Sequence, residues 1–192
     1  CLWNAPVAAA QPQARPDGRF GQEGTVKVRV STPAARASAA KAGRIVADYG
    51  DFGVYEVARQ NAAALAATDS AVQVLGSENL IELNSGGLDT SSRAVRNRPS
   101  VLQAGEGNRL HLVQFAGPVR PEWYAELRAT GARVVTYIPR NAYLVWGSPA
   151  QVAGVQALAG SRPFVQWDGT YDADLKIPAK LAKKLASPSG AT

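Results

Sequence analysis

The sequence predicts an α+β protein: two tandem copies of a strand–helix–strand–strand–helix–strand (βαββαβ) unit with antiparallel sheets. Three observations carry this expectation. The stretch "GRIVADYGDFGVYEV" (43–57) is restated 88 positions later as "GARVVTYIPRNAYLV" (131–145), with Gly43, Tyr49 and Tyr55 matched by Gly131, Tyr137 and Tyr143. Each copy is preceded by an apolar strand and a proline-entered helix. With 192 residues, 46% hydrophobic and 19% charged, the chain has material for one medium domain or two small ones.

The elements follow in order. Residues 1–24 are rich in Ala, Pro, Gln and Gly and show no period, which reads as a flexible N-terminal arm. The first module, 25–83, opens with "TVKVRV", where Val26, Val28 and Val30 alternate with Lys27 and Arg29 as in a half-buried strand. A helix follows in "STPAARASAAKAG", with Thr32 as cap, Pro33 at the first helical position and Gly43 as a left-handed exit. Strands at about 45–49 and 54–57 flank a tight turn holding Gly50, Asp51 and Gly53. Asn61 is placed to cap a second, alanine-rich helix reaching about Thr68, and either "AVQVL" or "NLIEL" supplies a closing strand.

After a linker at 84–108, the second module, 109–168, repeats the plan. "RLHLVQF" is a strand, and "PEWYAELRATG" is a helix with Trp123, Leu127 and Thr130 on one stripe and its end at Gly131. "ARVVTYI" and "AYLVW" form the hairpin, "SPAQVAGVQALAG" a helix capped by Ser148, entered through Pro149 and ended by Gly160, and "RPFVQW" the last strand. This order, found twice, is that of the ferredoxin-like unit. Phe115 to Gly131 is three residues longer than Val30 to Gly43 (16 against 13), which the loop before the second module's first helix should absorb. Residues 169–192 form a C-terminal tail, in which "PAKLAKKLA" suits a short amphipathic helix.

Charge and cysteine usage narrow the class. The net charge of +6 sits largely in "SSRAVRNR" (91–98) and "LKIPAKLAKK" (175–184), which read as a solvated linker and tail and not as a nucleic-acid patch. Cys1 is the sole cysteine, so an internal disulfide is excluded. A first residue of Cys marks either a processed chain or a fragment; it resembles the mature start of bacterial lipoproteins, which implies lipidation at Cys1, a membrane tether and a place on the cell surface. No run approaches the ~20 consecutive apolar residues of a membrane-spanning helix.

Catalytic sets are hard to find. His111 is the only histidine and lies in a strand between Leu110 and Leu112, which reads as structural, because serine chemistry and zinc sites need partners of the right type. No glycine-rich stretch has phosphate-loop spacing. "GDFGVYEV" (50–57) partly matches the third-strand signature of RNA-recognition domains but lacks its leading basic residue and second stacking aromatic. The reading is therefore a non-enzyme without cofactor, metal or nucleic-acid partner. In "AYLVW", Tyr143 and Val145 point to one face and Leu144 and Trp146 to the other. Helices cover only one face, so Leu144 and Trp146 need a cover from the first module or from another protein.

The run "HLVQFAGPVRPEWYAELRATGARVVTYIPRNAYLVWGSPAQVAGVQAL" (111–158), with its lead-in "IELNSGGLDT" (81–90), resembles the N-terminal pro-regions of bacterial secreted subtilisin-like serine proteases. The resemblance spans about 80–177 and implies two propeptide-like ferredoxin-like domains in a secreted protein. It implies a propeptide-type inhibitor and folding chaperone whose partner is a subtilisin-like protease domain, from the same precursor or another. The sheet would lie on enzyme helices and the tail would enter the substrate cleft as an added strand. In that tail Tyr171 and Leu175 are the subsite candidates, with Asp172 and Asp174 facing water. The alternative expectation is an extracellular or cell-surface structural module that self-associates through sheet faces and the N-terminal arm.

Overall fold

The computed structural model describes residues 19–96, 107–178 and 181. Cys1, nearly all of the N-terminal arm, the end of the basic linker and most of "PAKLAKKLA" lie outside the described residues.

The elements in chain order are β1 (Thr25–Val30), α1 (Pro33–Ala42), β2 (Gly43–Asp48), β3 (Gly53–Ala58), α2 (Arg59–Thr68) and β4 (Val72–Leu75). Next come β5 (Leu80–Leu83), β6 (Gly86–Asp89) and α3 (Arg93–Arg96), then β7 (Arg109–Phe115), α4 (Pro121–Ala129), β8 (Arg133–Ile138), β9 (Ala142–Gly147), α5 (Pro149–Ser161), β10 (Val165–Thr170) and α6 (Ala173–Lys176). They form a mixed α/β molecule with two four-stranded antiparallel sheets, ordered β2-β3-β1-β4 and β8-β9-β7-β10, and a two-stranded hairpin β5-β6. Both edge strands of the hairpins, β2 and β8, carry a register shift against their inner neighbour.

Local chemistry explains most boundaries. Thr32 accepts from the Ala35 N–H, and Ser148 and Gln151 make a reciprocal capping box at the start of α5. Gly131 leaves α4 in the left-handed region with φ 78. Three expectations need correction. Gly43 is extended and not left-handed; a side chain there would collide with the Glu56 carbonyl and Val57, so glycine serves close strand approach. Asn61 does not cap α2, because the helix runs directly from β3 and its Arg59 N–H already donates to the Gly24 carbonyl at 2.9 Å. Gly160 lies inside α5, which ends at Ser161.

"AVQVL" closes the first sheet as β4, whereas "NLIEL" becomes β5 of the separate hairpin. The basic run is not a plain solvated linker either: Arg96 donates to the carbonyls of Ser91, at 3.1 Å, and Gly21.

The first sheet buries Val26, Val28, Val30, Tyr55 and Val57 under α1 and α2. Part of its other face is also buried. Val46, Ala47 and Val54, together with Phe20 from the arm, join Phe115, Trp123, Leu127 and Val155 in one core shared with the second module. Beside that core, the fully buried Lys27 donates from Nζ to Asn79 Oδ1 at 2.8 Å and to Gln166 Oε1. Gln166 passes the network to Gln114 at 2.6 Å, and Gln114 donates to the Leu80 and Arg140 carbonyls at 3.2 and 2.9 Å. Buried polar groups of this kind hold their place because each is paired.

Candidate protein-binding face

The second sheet has an inner and an outer face. On the inner face Val113, Phe115, Val145 and Val165 pack beneath α4 and α5, with Tyr143 at the rim. Burial of Tyr143, beside Tyr124 and Tyr137, raises the pKa of its phenol. On the outer face lie Leu112, Ala142, Leu144 and Trp167. Strand alternation sends Leu144 and Trp146 to this side.

The apolar cover of the outer face comes from the chain itself, from the β5-β6 hairpin and α6. Ile81 and Leu88, paired across β5-β6, and Leu175 of α6 fill it. The cover is incomplete: Trp146 is 37% exposed, and its cross-strand neighbours are Leu110 on β7 and Arg133 on β8. Leu144 is half-buried against the cluster.

The tail turns where an extended segment was expected. Tyr171 prolongs the β10–β7 ladder, its N–H donating to the Leu110 carbonyl at 3.3 Å, and the chain then folds into α6. Tyr171 is half-buried against the outer-face cluster and Leu175 is only 7% exposed. A spacing of four puts two residues on one face of a strand as well as of a helical turn, so the sequence pattern does not separate the two. Asp172 and Asp174 are exposed, and Lys176 Nζ stands 5.6 Å from the Tyr171 ring centre. Leu144, Tyr171 and Leu175 thus share one cluster, and Trp146 lies on the same face beside it.

At the β8–β9 turn, an open cleft is lined by Glu78, Glu82, Tyr137, Pro139, Arg140 and Asn141. Arg140 and Asn141 both have left-handed backbones, with φ 72 and 62. The turn is over-determined: Asn141 Nδ2 donates to Glu78 Oε2 at 2.5 Å, Arg140 meets Glu82 at 3.3 Å, and the Arg140 carbonyl accepts from Gln114.

His111 is buried on β7, its Nε2 3.0 Å from Asp168 Oδ2, while Asp168 Oδ1 pairs with Arg19 at 3.1 Å. The pair ties β7 to β10 and the arm. Among the described residues no group of three or more His, Cys, Asp or Glu is placed to hold a metal, and no helix is long and apolar enough to cross a membrane. Sequence reasoning missed the β5-β6 cover, although "NSGG" between apolar residues was its turn signal.

Over residues 82–172 the chain is similar to a family described as "Domain of unknown function (DUF8729)". That span takes in most of the hairpin, the whole second sheet and Tyr171, and the family description names no activity. No curated protein and no solved structure matches the chain.

Proposed function

We propose that this chain is a propeptide-type inhibitor and folding chaperone of a subtilisin-like serine protease, acting outside the cell, and that each half is a ferredoxin-like unit. The strand order shared by the two sheets supports the second part. One observation carries the first part. Leu144, Trp146, Tyr171 and Leu175 converge on one face of one sheet, and the chain leaves that sheet from β10 along the same face. A face with an exposed tryptophan beside aliphatic side chains suits a protein partner.

The test is enzymatic. Full chain mixed with its cognate protease should inhibit peptide hydrolysis at micromolar concentration and raise the refolding yield of the denatured enzyme, and Trp146→Ala should weaken inhibition about tenfold, the scale of an interface aromatic. Full chain that neither inhibits nor assists refolding at that concentration sinks the proposal.

One observation favours self-association instead: Ile45 on β2 and Val135 and Tyr137 on β8 are 49%, 43% and 50% exposed on open sheet edges. The register shifts in both strands work against it, since bulges blunt edges. Concentration-dependent multimers by light scattering, without inhibition, would replace the inhibitor reading.

A further inference from the structure

We propose that Lys27 and Asn79 are a self-modification site, at which the lysine amine displaces ammonia from the asparagine side chain and leaves an isopeptide bond between an inner strand of the first sheet and the segment before the hairpin.

The two reacting groups are already in contact, and both are held. Lys27 Nζ lies 2.8 Å from Asn79 Oδ1, and the carbon it attacks is one C=O bond, about 1.2 Å, beyond that oxygen. Lys27 projects from β1, which is paired on both sides by β3 and β4, and the residue is fully buried. The Asn79 backbone is fixed through its carbonyl, which accepts from the Thr90 N–H at 2.8 Å and from Thr90 Oγ1 at 2.9 Å. Holding an amine against a carboxamide in this way turns a bimolecular reaction into an intramolecular one.

The surroundings supply the proton chemistry. Glu56 stands directly opposite Lys27 on β3, is buried, and is held by Arg44 at 3.3 Å. Burial brings the Lys27 pKa down to about 8, which eases loss of a proton from the ammonium. In the reaction Glu56 takes one proton from Lys27 Nζ, and the freed electron pair forms a C–N bond to Asn79 Cγ as the C=O pair moves onto Oδ1. One proton passes from Nζ to Nδ2, the Cγ–Nδ2 bond breaks, and the C=O bond re-forms. The departing ammonia takes the proton that Glu56 holds. An ammonium and a primary amide thus become a secondary amide and an ammonium ion, with no oxidant or cofactor.

Gln166 also accepts from Lys27 Nζ, but its geometry does not suit it as the acyl group. It is fully buried, and its Nε2 donates to the Glu78 carbonyl at 3.2 Å and to Gln114 Oε1 at 2.6 Å, so its leaving nitrogen is tied down. Asn79 is only half-buried, which gives ammonia a way out. An unactivated carboxamide reacts slowly, so freshly folded chain still carries the free Lys27 amine and the bond accumulates with time in the folded state.

Mass spectrometry tests this on the full chain. Folded chain incubated at about pH 7.5 should lose about 17 Da, the mass of one ammonia, and its tryptic digest should contain a branched peptide joining Lys27 to Asn79, uncut after Lys27. The same chain held in urea should keep its mass, because the contact exists only in the fold. Lys27→Arg and Asn79→Ala should each abolish the loss, and Glu56→Gln should slow it at least tenfold. An unchanged mass in the folded chain overturns the proposal. So does a loss that survives in Lys27→Arg, which is the result of succinimide formation at an asparagine. Where a substitution prevents folding, the digest of the native chain decides alone, and a digest without the Lys27–Asn79 junction overturns the site.

Discussion

Lys27 shows how one residue joins three parts of the molecule. It sits on β1 of the first sheet, yet its hydrogen bonds go to Asn79, before the hairpin, and to Gln166 on β10 of the second sheet. Complete burial pushes its pKa down from 10.5 to about 8, and the nearby Glu56 and Glu78 carboxylates oppose that shift only in part. A folded-state pKa below the unfolded one means that, between about pH 8 and 10.5, the unfolded chain holds more protons than the folded one. Stability from this group therefore rises with pH across that window, by a total on the order of 3 kcal/mol. Urea unfolding at pH 7.5 and pH 10 should show the rise in the native chain and not in Lys27→Met; equal pH dependence in both would disprove it. Trp146 and Leu144 differ in the same physical terms. Trp146→Asp places a charge at a partly open site and should shift the melting temperature by only about 1–2 °C. Leu144→Asp puts one against the outer-face cluster and should cost ~1–3 kcal/mol. Under the proposed inhibitor role both should weaken inhibition of the protease, and thermal melts would separate them.

At the scale of elements, the connection between β7 and α4 distinguishes the two halves. The β1–α1 connection is residues 31–32, and the β7–α4 connection is residues 116–120, so the extra three residues lie in the loop, where the sequence comparison placed them. Those residues do a specific job. Tyr49, from the β2–β3 turn of the first module, donates its hydroxyl to the Pro118 carbonyl at 2.6 Å, and Gly117 leaves room for it, a side chain there coming within 3.1 Å of the Tyr49 oxygen. Burial raises the pKa of the Tyr49 phenol, which keeps it a donor. Tyr49→Phe strands the Pro118 carbonyl and should lower stability by ~1 kcal/mol, about 2–4 °C in a chain of this size, by calorimetry; no change would show the bond to be idle. The repeat, the proline-entered helices and the Ser148 cap were legible in the sequence because each is a local pattern. The hairpin over the outer face and the turn into α6 were not, because they depend on what Ile81, Leu88 and Leu175 meet across the molecule. Asn61 misled for a related reason, its capping role being taken by a distant backbone carbonyl, that of Gly24. Of the outer face, the alternation of Leu144 and Trp146 was readable, and the identity of its cover was not.

For the whole molecule, the shared core decides whether the halves behave as one. Val46, Ala47 and Val54 of the first sheet lie in the same cluster as Phe115, Trp123 and Val155 of the second module, and the Lys27 network crosses the same boundary. Units of about 60 residues bury only ~60% of their unfolded surface and are marginal alone. The two modules should therefore unfold in one transition. Tryptophan makes this testable, because among the described residues Trp123, Trp146 and Trp167 all belong to the second module. Their fluorescence reports that module, while far-UV circular dichroism reports both. Val28 is fully buried in the first module's own core beneath α1 and α2, remote in sequence from every one of those tryptophans. Val28→Ala removes two methyl groups from a packed site and should cost ~1–3 kcal/mol. If the modules are coupled, this substitution lowers the fluorescence melt by as much as it lowers the dichroism melt, a shift of about 2–10 °C. A fluorescence melt that stays at the native temperature while part of the dichroism signal moves down would show two independently folding halves, and the core running from Val54 to Phe115 would then contribute little to holding them together.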